Sequence, residues 1–491
     1  MIDWLSVRAR TTPEATALII GECEWSYAAL QQEVAQTARG LVGLGVGQSD
    51  HVGVMLPNDL HYVCLVHALA RLGAALVPLN TRLAPAELAW QARKAGCRLV
   101  LHGEQTAHLA GAMTAQEYEM QPVAALRLAG DKVTLPDLAF EMESLQAIVF
   151  TSGTTGRPKG VMLTFANHFW SATASAFRLG LQPGDRWLSC LPLYHVGGLA
   201  VLFRSALYGT AVILEPRFDV ERFNRILDAQ AATMTSLVPT MLYRLLPTRR
   251  SWPASLRLVL VGGAATSPQL AAASAEAAVS LATTYGLTEA ASQVATMLPV
   301  DVQRKPGSAG RPLMFTDVKV VDEAGAALPP GERGEVLVSG PTVMRGYYED
   351  EAATAQALRG AWLHTGDVGY VDEDGDLWIV QRRSDMIVSG GENVYPAEVE
   401  QALRQHPAVA AACVVGLPHP EWGQQVAAMV AARPGQALSE AALEAFLRER
   451  LAGYKVPRRW RFVAQLPQTA SGKIARRDVL AQLEKQASDS I

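Results

Sequence analysis

Between residues 26 and 290 a series of short segments is apolar throughout, with no alternation: His51–Pro57, Ala75–Leu79, Arg98–His102, Ala147–Thr151, Trp187–Pro192, Thr210–Leu214, Thr235–Pro239 and Leu256–Val261. Helix-period segments such as Ala28–Leu44 and the stretch near 85–95 separate them. A strand with apolar side chains on both faces must be covered on both, which is the condition of a parallel strand between helix layers. The right-handed crossover then makes an α/β architecture of doubly wound, layered sheets the expected fold. Asn58 is placed to cap the helix after the first strand, and GLGVG at 43–47 reads as a helix C-cap.

After about residue 305 the pattern changes. Short β-like pieces (Asp317–Val321, Glu335–Ser339, Leu377–Val380) alternate with turns such as Pro330–Gly331 and Asp374–Gly375, predicting a small β-subdomain over about 305–383. Beyond Arg383–Ser384 comes a compact α+β unit: helix 396–405, strands 409–416 and 425–432, helix 439–451 and strand 460–464. The expected division is therefore a large domain, 1–383, and a small C-terminal domain, 384–491.

Composition narrows the function classes. Hydrophobic residues make up 49% and charged residues 18% of the 491, too apolar for disorder. The net charge of −4 gives no footprint for nucleic acid, and no basic run marks a membrane surface. The most apolar stretch, Trp187–Leu214, is interrupted by His195, Arg204, a proline and glycines, which argues against a membrane span. The N-terminus does not read as a signal peptide. Five scattered cysteines without a CxxC pair read as reduced thiols of a cytoplasmic enzyme, not as a disulfide frame or zinc site. The oligomeric state stays open, a homo-oligomer included.

Chemistry concentrates first in TSGTTGRPKG, Thr151–Gly160, after the apolar Ala147–Phe150. Backbone N–H groups and hydroxyls of Thr151, Ser152, Gly153, Thr154 and Thr155 can surround phosphate oxygens, and Lys159 adds a point charge. The order is not that of a Walker A loop. Gly262, Gly263 and Ala264 lack bulk at the carboxyl end of a strand, where ligands lie in open α/β sheets. Glu289 is either a hard ligand for Mg²⁺ or an acid in the first turn of a helix. Asp367, in a TGD turn, reads by itself as an acid bonded to its own backbone. Arg204 is the only Asp, Glu, Lys or Arg between Trp187 and Leu214, in a segment that reads as a buried helix. A buried guanidinium needs an anion, so either an internal acid or a ligand must meet it. On the residues alone, the internal acid is somewhat favoured.

Five segments in order resemble signatures of the adenylate-forming superfamily, which includes acyl-CoA synthetases, peptide-synthetase adenylation domains and luciferases. They are TSGTTGRPKG, YGLTE (285–289), TGD (365–367), RRSDMIVSGGENVYPAEVE (382–400) and PQTASGKIAR (467–476), and they span essentially the whole chain. The resemblance implies ATP, Mg²⁺ and CoA as partners, with a small-molecule carboxylate as substrate. It implies Glu289 for the metal and Thr288 for the α-phosphate. Thr284, Tyr285 and Gly286 then line the nucleotide site, with the Tyr285 ring for adenine. Asp367 and Arg382 meet the ribose, and Ser384 is the hinge of a mobile C-terminal domain, where relatives often carry aspartate. Ser389, Gly390 and Gly391 flank the CoA path, and Lys473 is the adenylation lysine. His195 and Gly263 border the acyl pocket.

The stretch LPLYHVGGLAVLFRSALYGTAVIL resembles one branch most, the o-succinylbenzoate–CoA ligases of menaquinone synthesis. There the basic residue nine positions after the histidine, Arg204 in this chain, meets a carboxylate of the diacid. The implied reaction joins 2-succinylbenzoate to CoA through an acyl-adenylate. Other aryl or medium-chain acyl-CoA ligases, or a free-standing adenylation enzyme, are the alternatives.

Overall fold

The computed structural model describes residues 3–113, 117–130, 133–136, 141–151, 158–381, 386–433, 435–467 and 474–488. Every apolar run singled out above is a strand, and the strands divide between two sheets. In a seven-stranded sheet, His51–Met55 lies parallel between Ala75–Pro78 and Leu99–His102, and Leu145–Thr151 continues the sheet beside Ala75–Pro78. In a nine-stranded sheet, Ala211–Leu214, Arg186–Ser189, Met234–Leu237, Leu258–Val261 and Leu281–Tyr285 run parallel in that order. The helix Leu60–Leu72 belongs to the apolar core common to both sheets and is buried on nearly every face, as its leucine- and valine-rich sequence demands.

Two details differ from the sequence reading. Lys159 and Gly160 belong to a strand, Lys159–Thr164, paired antiparallel with Leu145–Thr151. The N-cap of Leu60–Leu72 is Asp59, whose carboxylate accepts from the Tyr62 N–H at 2.9 Å, and not Asn58. The reason is donor chemistry: a cap needs only an acceptor. Asn58 instead donates to the carbonyls of Leu191 (2.9 Å) and Glu215 (3.1 Å) and accepts from the Leu193 N–H (2.9 Å). No carboxylate could make all three bonds.

A five-stranded antiparallel sheet, from Asp317–Val321 to Leu377–Gln381, forms the β-subdomain. Its turn brings Asp372, Asp374 and Asp376 together, and the Lys305 ammonium fills their midst at 2.8, 2.7 and 2.6 Å. The C-terminal domain has its own sheet, with Pro396–Arg404 and Glu440–Arg448 in one apolar cluster and Arg476–Ser488 contributing Val479 and Leu483 to another. The expected domain boundary at 383–384 lies outside the described residues. All five cysteines are free thiols, and among the described residues no helix is long and apolar enough to cross a membrane.

Two buried histidines make the large domain acid-sensitive. His67 and His168 pack against the Phe203 ring at 6.3 and 4.5 Å. Burial pushes His67 down to about 4 and, with Arg204 adding to it, His168 down to about 3. Both stay neutral in the fold while the unfolded chain takes up protons below about 6.5. Stability therefore falls as pH drops from about 6.5 towards 4, by at most about 1.4 kcal/mol per pH unit for each histidine. Urea unfolding at pH 7, 6 and 5 should show this decline, and His168→Phe should flatten it. An unchanged slope in that variant would refute the assignment.

Candidate active site

The carboxyl ends of both sheets open into one cavity. Thr151 reaches it from the first sheet, and Gly262 and Gly263 reach it from the end of Leu258–Val261. Thr284, Gly286, Thr288 and Glu289 follow from Leu281–Tyr285, and Asp367 comes from the β-subdomain. Ala264 is half-buried beside them. Ser152, Gly153, Thr154, Thr155, Arg382, Ser384 and Lys473 lie outside the described residues.

The segment after Leu281–Tyr285 doubles back tightly. A Cβ on Gly286 would sit 1.5 Å from the Ser292 carbonyl oxygen, so only glycine permits the turn. Ala291 and Ser292 hold positive φ, 49° and 100°, to complete it. On the strand itself, Thr284 lines the cavity and Tyr285 is buried beside it. The Tyr285 ring is buried, and its hydroxyl donates to the Asp367 carboxylate at 2.7 Å. The structure thus brings Tyr285 to Asp367.

Glu289 is 7% exposed and accepts a hydrogen bond from the Tyr347 hydroxyl at 2.9 Å. The Tyr347 ring carries the Lys159 ammonium 5.0 Å from its centre. Among the described residues no cation pairs with the Glu289 carboxylate. A buried anionic oxygen set at the cavity edge without a cation fits a hard divalent ion.

Arg204 lies on the helix Val196–Tyr208 and is 2% exposed, yet it lines the cavity. Its guanidinium stands 5.7 Å from the Trp187 ring centre and reaches the Ser292 hydroxyl at 3.4 Å. Among the described residues its Nε has no partner, and no aspartate or glutamate pairs with it. Burial lowers its pKa from the ordinary value. The internal acid favoured by the sequence is absent from the described residues.

The C-terminal domain closes the cavity. Ser389 ends the strand Ile387–Ser389, and the turn Gly390–Gly391, at φ 59° and 86°, enters the wall. A Cβ on Gly391 would touch the Val238 side chain at 3.4 Å. Next to it Glu392 accepts from Arg82 at 2.8 Å and contacts His195 Nε2 at 3.2 Å. Burial alone would raise the Glu392 carboxyl, but His195 and then Arg82 outweigh it and bring it to about 2. Arg82, Ser292, Tyr347 and Glu392 were missed in the sequence. Glu392 at least stood inside the glycine-rich run quoted above; Arg82, 310 positions away, carried no signal.

The family model for AMP-binding enzymes matches residues 5–348, and that for the AMP-binding enzyme C-terminal domain matches 398–473. A 2–succinylbenzoate–CoA ligase from Geobacillus kaustophilus is 41% identical over 98% of this chain and 97% of its own. The o-succinylbenzoate CoA synthetase of Bacillus subtilis, in a double-mutant form bound with its product analogue OSB-NCoA, superposes with a TM-score of 0.93 at 36% identity over 98% of both chains. The same enzyme in complex with ATP and magnesium ion gives 0.74, at 36% identity over 98% of this chain and 99% of that one. Equal identity with unequal superposition marks two arrangements of that protein, and this chain has the arrangement of the first. On both domain matches and this identity, the chain belongs to the family of AMP-binding enzymes.

Proposed function

We propose that the chain is an ATP-dependent acid–thiol ligase that converts 2-succinylbenzoate, ATP and CoA to 2-succinylbenzoyl-CoA, AMP and pyrophosphate, in menaquinone synthesis. The observation that carries the choice of acid is Arg204: a buried cation on the cavity wall with no carboxylate partner among the described residues. A fatty acid gives such a cation nothing to pair with, and an aryl diacid does.

The chemistry follows from the charges. A carboxylate is a poor acyl donor, so its oxygen first attacks the α-phosphorus of ATP and pyrophosphate leaves. The loop from Thr151 to Thr155 and Lys159 hold the phosphates, Thr288 donates to the α-phosphate, and Asp367 and Arg382 take the ribose. Gly262, Gly263 and Ala264 let the base approach. Mg²⁺ held by Glu289 supplies neutralisation of phosphate charge. Lys473 bridges the two mutually repelling anions in this step. The C-terminal domain, 384–491, then turns about Ser384, and the thiol of CoA enters past Ser389–Gly391. It attacks the acyl carbon, the bond to AMP breaks and the thiol proton leaves. His195 shapes the acyl pocket near that path. The free cysteines agree with a cytoplasmic setting.

Pyrophosphate exchange with a panel of carboxylates, followed by mass analysis of CoA thioesters, tests the reading. Exchange and thioester formation should be strongest with 2-succinylbenzoate. Turnover of benzoate or octanoate without succinylbenzoate would instead identify another aryl or medium-chain ligase.

A further inference from the structure

A second contact joins the domains away from the cavity. Lys455 of the C-terminal domain is 3% exposed, and its ammonium lies 2.6 Å from Glu87 Oε1 and 2.8 Å from Glu398 Oε1. Glu398 sits on Pro396–Arg404 of the same domain, so that pair travels as a unit. Glu87 sits on Pro85–Lys94 of the large domain, where its other oxygen accepts from the Ala84 N–H at 2.9 Å. That capping bond aims the carboxylate whether or not Lys455 is present. Beside them Ala452 is 2% exposed within an apolar cluster of the large domain, and Arg82 stands 4.9 Å from the Tyr454 ring centre.

The balance of charge suits a reversible contact. Docking gathers two carboxylates around one ammonium, and Glu398 Oε2 is buried with no partner among the described residues. Such a group holds orientation through its geometry while its desolvation keeps the net attraction modest. The arrangement containing it matches the product-analogue complex of the Bacillus subtilis enzyme at a TM-score of 0.93, and the ATP–magnesium complex at only 0.74.

We propose that Lys455 is a positioning residue for thioester formation, holding the C-terminal domain against Glu87 in the arrangement described above and taking no part in adenylate formation. The proposal rests on the two-step ligase reading. Glu87→Gln keeps an acceptor for the Ala84 cap and removes only the charge. In this variant, thioester formation from supplied succinylbenzoyl-adenylate should slow by about tenfold. Pyrophosphate exchange and the melting temperature should stay at parent values. Lys455→Met should slow the same step but, by leaving Glu398 buried without its ammonium, should also lower the melting temperature, and Lys455→Arg should recover part of the lost rate. An equal fall in both half-reactions, or an unchanged second one, would overturn the proposal. Amide hydrogen exchange supplies a readout that needs no substrate: residues 83–94 and 450–456 should exchange faster in Glu87→Gln, and unchanged exchange there also overturns it. A parent enzyme that makes no adenylate from 2-succinylbenzoate would sink the substrate reading, and the exchange data would still decide the role of Lys455.

Discussion

Arg204→Met is expected to lower kcat/KM for 2-succinylbenzoate by about a hundredfold or more while the melting temperature holds or rises. Methionine is apolar and fills similar space, so the variant removes the charge with little change of volume. In the free protein the guanidinium is a burden, with an unpartnered Nε and no acid among the described residues. Replacing such a group by an apolar one is commonly neutral or stabilising. In the complex it would meet the carboxylate remote from the reacting centre. Losing one partner of a buried charge pair costs about 2–5 kcal/mol, which sets the size of the effect. The KM for ATP should move little. A destabilised variant that still uses the diacid normally would show that Arg204 serves the fold alone.

Glu289→Gln is the second large effect expected. The amide preserves the shape and can still accept from the Tyr347 hydroxyl, so the fold should stand. What disappears is the carboxylate at the cavity edge. Adenylate formation should fall by about a hundredfold to a thousandfold, in line with removing one electrostatic element of a transition state. Titrating Mg²⁺ against pyrophosphate exchange should give a weaker apparent affinity. Thiolysis of supplied acyl-adenylate should be nearly unaffected. Equal losses in both steps would mean that Glu289 acts by holding the turn at Gly286–Ser292.

Much of the scaffold was legible because its strands are apolar on both faces, a pattern few other elements produce. Leu256–Val261 and Thr210–Leu214 could hardly be anything but covered strands. The small domain was legible for the same reason, since strand Gly423–Ala432 is buried along most of its length. Arg204 stood out because nothing else charged lies near it in sequence. The lack of an acid beside it among the described residues did not, since that depends on which distant side chains the fold delivers. The same limit hid Glu392 with Arg82 and Lys455 with Glu87: each pair joins residues more than 300 positions apart. The bond from Tyr285 to Asp367 was hidden as well, since the two residues are 82 positions apart.

Asn58 stands at the end of a strand in one sheet, yet all three of its amide bonds go to backbone following strands of the other. The turn it clasps, Leu191–Leu193, leads directly into His195 on the cavity wall. This part of the cavity wall is therefore moored to a layer in which it does not reside. Asn58 lies just before the helix Leu60–Leu72, so one amide side chain ties the packing of that helix to the shape of the cavity wall.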